Sequence, residues 1–260
     1  MKFTKPLLIT KLKATAVHLC VSIIVFIYLA YQIYYNWYPE PYFSIDGGWQ
    51  GIRLVGAVDL VLGPLITFLI FDLRKPRKEI MFDLLVIVTI QIGALAYGIY
   101  TTYNQRPIAI VVIDQFVASS TMEHYGESLP SSSELAGFSD EKPPIIFSDL
   151  PMDREVLDEV MRIKLEDKVL EHAQINLYRG RAELKTALQQ RQLGYFERLD
   201  SEQSREMLEQ WLEQNQKSIE EILIAEFRGR YGNAWLVFDE EARYRGYFYP
   251  VDLPADNTQE

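Results

Sequence analysis

Residues 54–71 read LVGAVDLVLGPLITFLIF, an apolar run with a single ionisable side chain, Asp59. No other feature constrains the fold as strongly. As a helix the run approaches the thickness of a bilayer's hydrocarbon core. An ionised carboxylate near its centre would cost about 2.5–3.5 kcal/mol on insertion scales. Asp59 therefore has to be turned toward other helices. The chain supplies two more apolar runs, at about 14–35 and 82–101. The connecting loops are short. Loop 39–53 carries Pro39, Pro41, Gly47, Gly48 and Gly51, and turn 72–79 reads DLRKPRKE. The expected fold is membrane α-helical, with three transmembrane helices in residues 1–103. An α+β soluble C-terminal domain with a few strands and amphipathic helices follows in residues 104–260.

Charge divides at the same place. Residues 1–103 hold nine Lys and Arg against six Asp and Glu, and residues 104–260 hold seventeen against thirty. The acidic half lacks the basic face that phosphate contact requires, so a nucleic-acid partner is excluded. Lys2, Lys5, Lys11 and Lys13 precede the first run, and Arg74, Lys75, Arg77 and Lys78 sit in the 72–79 turn, whereas loop 39–53 has only Arg53. Basic loops stay in the cytoplasm. The N-terminus is then cytoplasmic, and three crossings place residues 104–260 outside. A cleaved signal peptide is the competing reading of the first run. The run is too long for that, lacks a small-x-small site at Tyr28-Leu29-Ala30, and ends in an aromatic cluster suited to a membrane interface. The lone Cys20 excludes an intramolecular disulfide and reads as a small buried apolar residue.

Past the third run, residues 108–117 (IAIVVIDQFV) are β-branched and read as one buried strand, with Asp114 arguing against a fourth span. Residues 119–151, rich in Ser, Gly and Pro, read as loop or linker. Helices are expected over about 153–178, over about 181–190 and from Ser201 onward. In the last, Ser201 is a cap, and Met207, Leu208, Trp211, Leu212, Ile219, Ile222 and Leu223 form one face. A closing hairpin pairs 234–238 with 244–249. Its Arg243, Arg245, Tyr244, Tyr247 and Tyr249 serve either as a binding edge or as cross-strand pairs. The tail 254–260 is expected to fray.

Catalytic signatures are absent from the sequence. His18, His124 and His172 have no nucleophile or ligand set at a recognisable spacing, and Gly47-Gly48-x-x-Gly51 is not a phosphate loop. Neither an enzyme activity, a metal nor a cofactor is expected. The middle run is more informative. Gly56, Asp59, Gly63 and Thr67 fall at i−3, i, i+4 and i+8 and so share one helical face. Pro64 removes a backbone donor and is expected to kink the helix, freeing a carbonyl near Leu60. Gln91, Ala94 and Gly98 form a matching stripe on the third run. By axial rise, Gln91 or Tyr28 comes within reach of Asp59. One reading makes Asp59 a buried carboxyl holding three helices together. A second makes the stripe a groove for a partner's membrane helix. A third is an ion or proton path, on the thin support of a single carboxyl.

FSIDGGWQG, then VDLVLGPLITFLIFDLRKPRKE, then FDLLVIVTIQIGALAYGIYTTYNQRPI together resemble the type IV pilin accessory proteins of the TfpZ/FimB-like family. The resemblance covers about residues 43–118. It rests on Gly47, Gly48, Gly51, Asp59, Leu62, Gly63, Pro64, Thr67, Lys75, Asp83, Gln91, Ala94, Gly98, Arg106 and Pro107. It implies a multi-pass protein of a bacterial inner membrane, with a periplasmic domain and no catalytic activity. The implied partners are a type IV pilin, membrane lipid and other pilus assembly proteins. The implied task is supporting pilin stability, pilus assembly or pilus dynamics. The alternatives are a membrane-anchored periplasmic sensor or regulator, and a small transporter subunit acting through Asp59.

Overall fold

A computed structural model describes residues 5–113, 116–150, 153–199 and 201–250. Lys2, Asp114 and the tail 254–260 lie outside the described residues. The described residues belong to two compact units: Met1–Phe43 with Gly47–Arg106, and Ser44–Asp46 with Pro107–Glu260.

The first unit is helical. Helix α1 (Lys5–Tyr31) continues into a π-helical segment, Gln32–Trp37. After a one-turn helix α2 (Tyr42–Ile45), α3 (Gly48–Gly56) passes through a second π segment (Ala57–Leu62) into α4 (Gly63–Ile70). Helix α5 runs over Arg77–Asn104, so the last three residues of the basic turn, Arg77, Lys78 and Glu79, belong to its first turn. Three continuous helical stretches, Lys5–Trp37, Gly48–Ile70 and Arg77–Asn104, are long and apolar enough to cross a membrane. Leu29, Ile33, Tyr38 and Val55 form a small core with Phe26, Ile52, Leu95 and Ile99 packed on it. Cys20, expected to be buried, is exposed on α1. A helix that is apolar all round does not reveal from residue type which side faces inward.

The second unit is a seven-stranded mixed sheet with helices. Its strands are β1 (Ala109–Val112), β2 (Val117–Ser120), β3 (Ile145–Ser148), β4 (Tyr178–Arg179), β5 (Ile222–Arg228), β6 (Asn233–Asp239) and β7 (Tyr244–Phe248), in the order β4-β3-β1-β2-β5-β6-β7. β1 pairs parallel with β3, and β2 parallel with β5; the other neighbours are antiparallel. Its helices are α6 (Met122–Tyr125), α7 (Ser132–Ala136), α8 (Arg154–Glu166), α9 (Arg181–Glu197) and α10 (Glu202–Asn215). Alternation divides the strands between two layers. Ala109, Val111 and Ile146 join Tyr125, Leu135, Val169 and Ala173 in one cluster. Phe147, the next residue on β3, meets the guanidinium of Arg191 from α9.

Several expectations change here. The single strand at 108–117 is two strands of a hairpin, closed by Ile113 N–H on Phe116 O. The supposed linker 119–151 contains the second half of β2, two capped helical turns and β3, which lies between β4 and β1. A four-residue strand next to prolines is too short to produce a periodic signal. The helix expected to reach 178 stops at Glu166, with Lys168 in the left-handed region (φ 58°). Val169 continues the helical spacing by chance and packs in the core from an extended segment. Helix α9 extends beyond 190 to Glu197. Helix α10 starts at its Ser201 cap, whose Oγ accepts from Ser204 N–H at 3.0 Å, but ends at left-handed Gln216. Ile222 and Leu223 therefore belong to strand β5, not to a helical face. The closing hairpin forms as read. Trp235 stacks on Phe248 and Arg245 pairs with Asp239, which are cross-strand roles.

Candidate functional site

The polar seam of the first unit is built around the π segment. Pro64 has no N–H, and the helix adapts by widening: Gly63 N–H reaches back to Val58 O. The expected kink is thus absorbed in a π turn that contains Asp59, a feature often found at functional positions. Asp59 is buried, and its Oδ1 accepts from Gln91 Nε2 of α5 at 2.8 Å and from Ser22 Oγ of α1 at 3.0 Å. Gln91 Nε2 also lies 3.3 Å from Val58 O. Asp59 Oδ2 and Gln91 Oε1 are buried without a hydrogen-bond donor.

The small residues of the stripe make these contacts possible. A Cβ on Gly63 would lie 2.5 Å from Gln91 Oε1, and one on Gly56 would lie 3.1 Å from the Phe26 ring. Pro64 is buried beside Gly63. Thr67 Oγ1 donates to Gly63 O at 3.1 Å, so the 2.6 Å contact with His18 is a bond donated by His18 Nδ1. Lys11, almost wholly buried, donates to Phe68 O and Leu69 O at 2.9 Å each. It satisfies last-turn carbonyls of α4 with a cation, where the helix dipole favours one.

Asp59, Gly63 and Gln91 thus meet at one point. Gly56 and Thr67 face α1. Phe26, Ser22, His18 and Gln91 occupy the positions that a partner's helix would take along this stripe. Tyr28, the other residue expected near Asp59, is exposed instead. The axial count did not foresee that π segments change the register or that α1 meets the second π segment through Ser22. A small polar residue such as Ser22 in an apolar helix is the signal that was available. Ser22, His18 and Lys11 are the three contacts that sequence reasoning missed.

Other residues of the quoted motifs pair similarly. Lys75 Nζ binds Asp83 Oδ2 at 2.5 Å, across the turn into α5. A Cβ on Gly51 would lie 2.5 Å from Thr102 Cγ2, and Tyr38 OH donates to Thr102 O at 3.0 Å. These positions hold helices close together.

The second unit has a buried polar cluster of its own. Asp46 is fully buried, and its Oδ1 accepts from Arg230 N–H at 3.1 Å and from Arg230 Nε at 3.3 Å. Arg230 Nη2 also donates to Asp46 O, and Ile45 O accepts from Tyr231 N–H at 2.8 Å. Burial pushes the Asp46 carboxyl up, against the opposing pull of Arg230. Nearby, His172 Nε2 is 3.3 Å from His124 Nδ1. Burial holds His172 down at about 4, with His124 adding to the effect, and burial also lowers His124. Tyr178 OH donates to His172 O at 3.0 Å and meets Tyr125 OH at 2.8 Å. Among the described residues no cluster of three His, Cys, Asp or Glu is arranged to hold a metal. The cluster joins distant segments.

Comparison with known proteins adds a family. The profile of the fimbrial assembly protein FimB family matches residues 6–47. Fimbrial assembly proteins of Dichelobacter nodosus from serogroup E1, serogroups C1 and C2, and serogroup I are each 37% identical over 99 residues, 38% of this chain. The aligned stretch spans 38% of the serogroup E1 and I proteins and 76% of the C1 and C2 protein. No solved structure matches the chain.

Proposed function

The chain belongs to the FimB fimbrial assembly protein family, and on that premise we propose that it is an inner-membrane accessory protein of type IV pilus biogenesis that binds a cognate pilin. In this reading the three apolar helices cross the membrane with the N-terminus in the cytoplasm. The mixed-sheet unit lies in the periplasm and touches the pilin head. The protein works by binding and not by catalysis. It supports the pilin's stability, its assembly or the dynamics of the pilus.

The observation that supports this most is family membership taken together with three helices long and apolar enough to span a bilayer. The Gly56–Asp59–Gly63–Thr67 face, with Pro64 and Gln91, serves in this reading as the seam that fixes the three helices. The pilin's membrane helix then docks on an outward face. An ion path through Asp59 is disfavoured, because Ser22 and Gln91 both bind its Oδ1 inside the bundle.

The test is deletion of the gene, followed by measurement of pilin abundance, surface pili and twitching motility. Loss of surface pili or of pilin is expected. Normal values of all three would refute the proposal. Photocrosslinking from positions on α1 and from the β6–β7 edge then asks which unit touches the pilin. Capture from neither, in cells that make pilin, would remove direct binding from the proposal.

A further inference from the structure

Helices α1 and α5 both pack on α4, and a groove of about 640 Å³ is left among the three. That volume lies within the roughly 300–1,000 Å³ of small-molecule sites. Val17, Val21, Leu84 and Val88 line it, together with Thr67 and Phe71 of the middle segment. Thr67 does not make the groove polar, since its hydroxyl is already satisfied by His18 and Gly63 O.

Length decides what fits. The lining residues of α1 extend from Thr10 to Val21, about 17 Å of helix at 1.5 Å per residue. The hydrocarbon core of a bilayer is about 30 Å thick. The groove is therefore about one leaflet deep. It is too short to seat a membrane-spanning helix along its length and is matched to a single acyl chain.

Charge decides the rest. Lys13 lines the groove near one end. Arg77 is seven residues before Leu84 and eleven before Val88, so it projects from the same face of α5. Both cations are exposed, and neither has an ion-pair partner among the described residues. In the basic turn Arg74 is neutralised by Asp72 and Lys75 by Asp83, whereas Lys78, exposed and without an ion pair among the described residues, is turned about 100° from Arg77 around α5. Lys13 thus lies in the lining of an apolar, leaflet-deep groove, and Arg77 lies about 10 Å before Leu84 along the same face of α5. Basic pockets between membrane helices are a recognised way of holding anionic headgroups.

We propose that this groove binds one anionic phospholipid, with an acyl chain between α1 and α5 and the phosphate held by Lys13 and Arg77. The inference rests on the membrane placement proposed above. It is independent of any role in pilus assembly.

Native mass spectrometry of the full chain in neutral detergent tests it. Phosphatidylglycerol and phosphatidylcholine with identical acyl chains are added in equal amounts. The first bound lipid is expected to be phosphatidylglycerol by roughly tenfold, the scale that one or two basic residues give at a membrane surface. The Lys13→Gln/Arg77→Gln double variant brings the ratio close to one. Lys78→Gln, turned about 100° from Arg77 around α5, leaves it unchanged. Val17→Trp fills the groove and lowers the occupancy of both lipids. A wild-type ratio near one, or a preference that survives the double variant, overturns the proposal. So does a photocrosslink from position 17 that captures a protein helix in native membranes in place of lipid. If the pilus-assembly reading fails, piliation of the deletion strain is normal while these lipid ratios stand, so the two failures are distinguishable.

Discussion

Replacing Gly63 by alanine puts a methyl group where Gln91 already sits. The added carbon would lie 2.5 Å from Gln91 Oε1 and 2.7 Å from its Cδ and Nε2. Relaxed carbon contacts lie near 3.5–4.0 Å, so about 1 Å has to be found. If the helices separate, overpacking costs about 1–3 kcal/mol. If Gln91 swings away, its bonds to Asp59 and Val58 O are lost. Hydrogen bonds between membrane helices average about 0.6 kcal/mol and reach about 1.7 kcal/mol. Opposing either cost is the helix propensity gained on removing a glycine, about 0.5–1 kcal/mol. The net expectation is a destabilisation of about 1–2 kcal/mol. Gly98→Ala is the control. Its new Cβ would meet Leu54 Cγ at an ordinary 3.7 Å, so that variant is expected to be neutral or slightly stabilised. The assay is reversible unfolding of the full chain in mixed micelles, run as a double-mutant cycle with Gln91→Ala. In the Gln91→Ala background the obstruction is gone, and Gly63→Ala should become neutral or favourable, a coupling of about 2 kcal/mol. If Gly63→Ala costs the same in both backgrounds, the packing of Gly63 on Gln91 does not limit stability and the seam argument fails.

Asp59→Asn should be tolerated in the same assay, because its amide can accept at Oδ1 and donate to the unsatisfied Gln91 Oε1. Asp59→Leu should cost about 1–3 kcal/mol by stranding buried donors, and equal stability of the two variants would contradict the hydrogen-bond geometry. Lys11→Met removes the donor to two α4 carbonyls and is expected to cost about 1–2 kcal/mol, with faster amide exchange in the last turn of α4 as the local reading. Arg230→Ala should destabilise the second unit by about 3 kcal/mol, the low end for breaking a buried pair, since Arg230 is a third exposed while Asp46 is buried; Asp46→Asn in the same background should recover part of that loss. His172 is near 4 when folded against about 6.5 when unfolded. The unfolded chain therefore binds the extra proton first, and the second unit loses up to about 3 kcal/mol as pH falls from 6.5 toward 4. Exchange at β1 and β2 amides should follow that slope, and His172→Phe should reduce it to the part that His124, also lowered by burial, contributes.

How legible the fold was depends on the range of the information. Apolar run length is local, and it identified all three long helices. The shared face of Asp59 and Gly63 is also local, as is the stripe containing Gln91, and the Asp59–Gln91 bond joins Asp59 to one of the two partners that the axial count offers. Ser201 as a cap and the closing hairpin were legible for the same reason, because their partners lie within a few residues. Boundaries were harder. Left-handed Lys168 and Gln216 end helices without a glycine to mark them, and β3 is too short to show a period.

What the amino-acid sequence determined by itself was the division into an apolar helical part and an acidic mixed part. It also determined the need to hide one carboxyl and the small residues that let helices approach it. Tertiary structure alone decided which groups do the hiding. Two π segments shift the helical register, so Ser22 meets Asp59 where an axial count had offered Tyr28. Lys11 closes a helix 57 positions away, and Asp46 finds Arg230 across 184. Periodicity carries no information about such pairs. They arise when packing decides which faces meet, and buried polar groups then take the partners that packing has brought within reach.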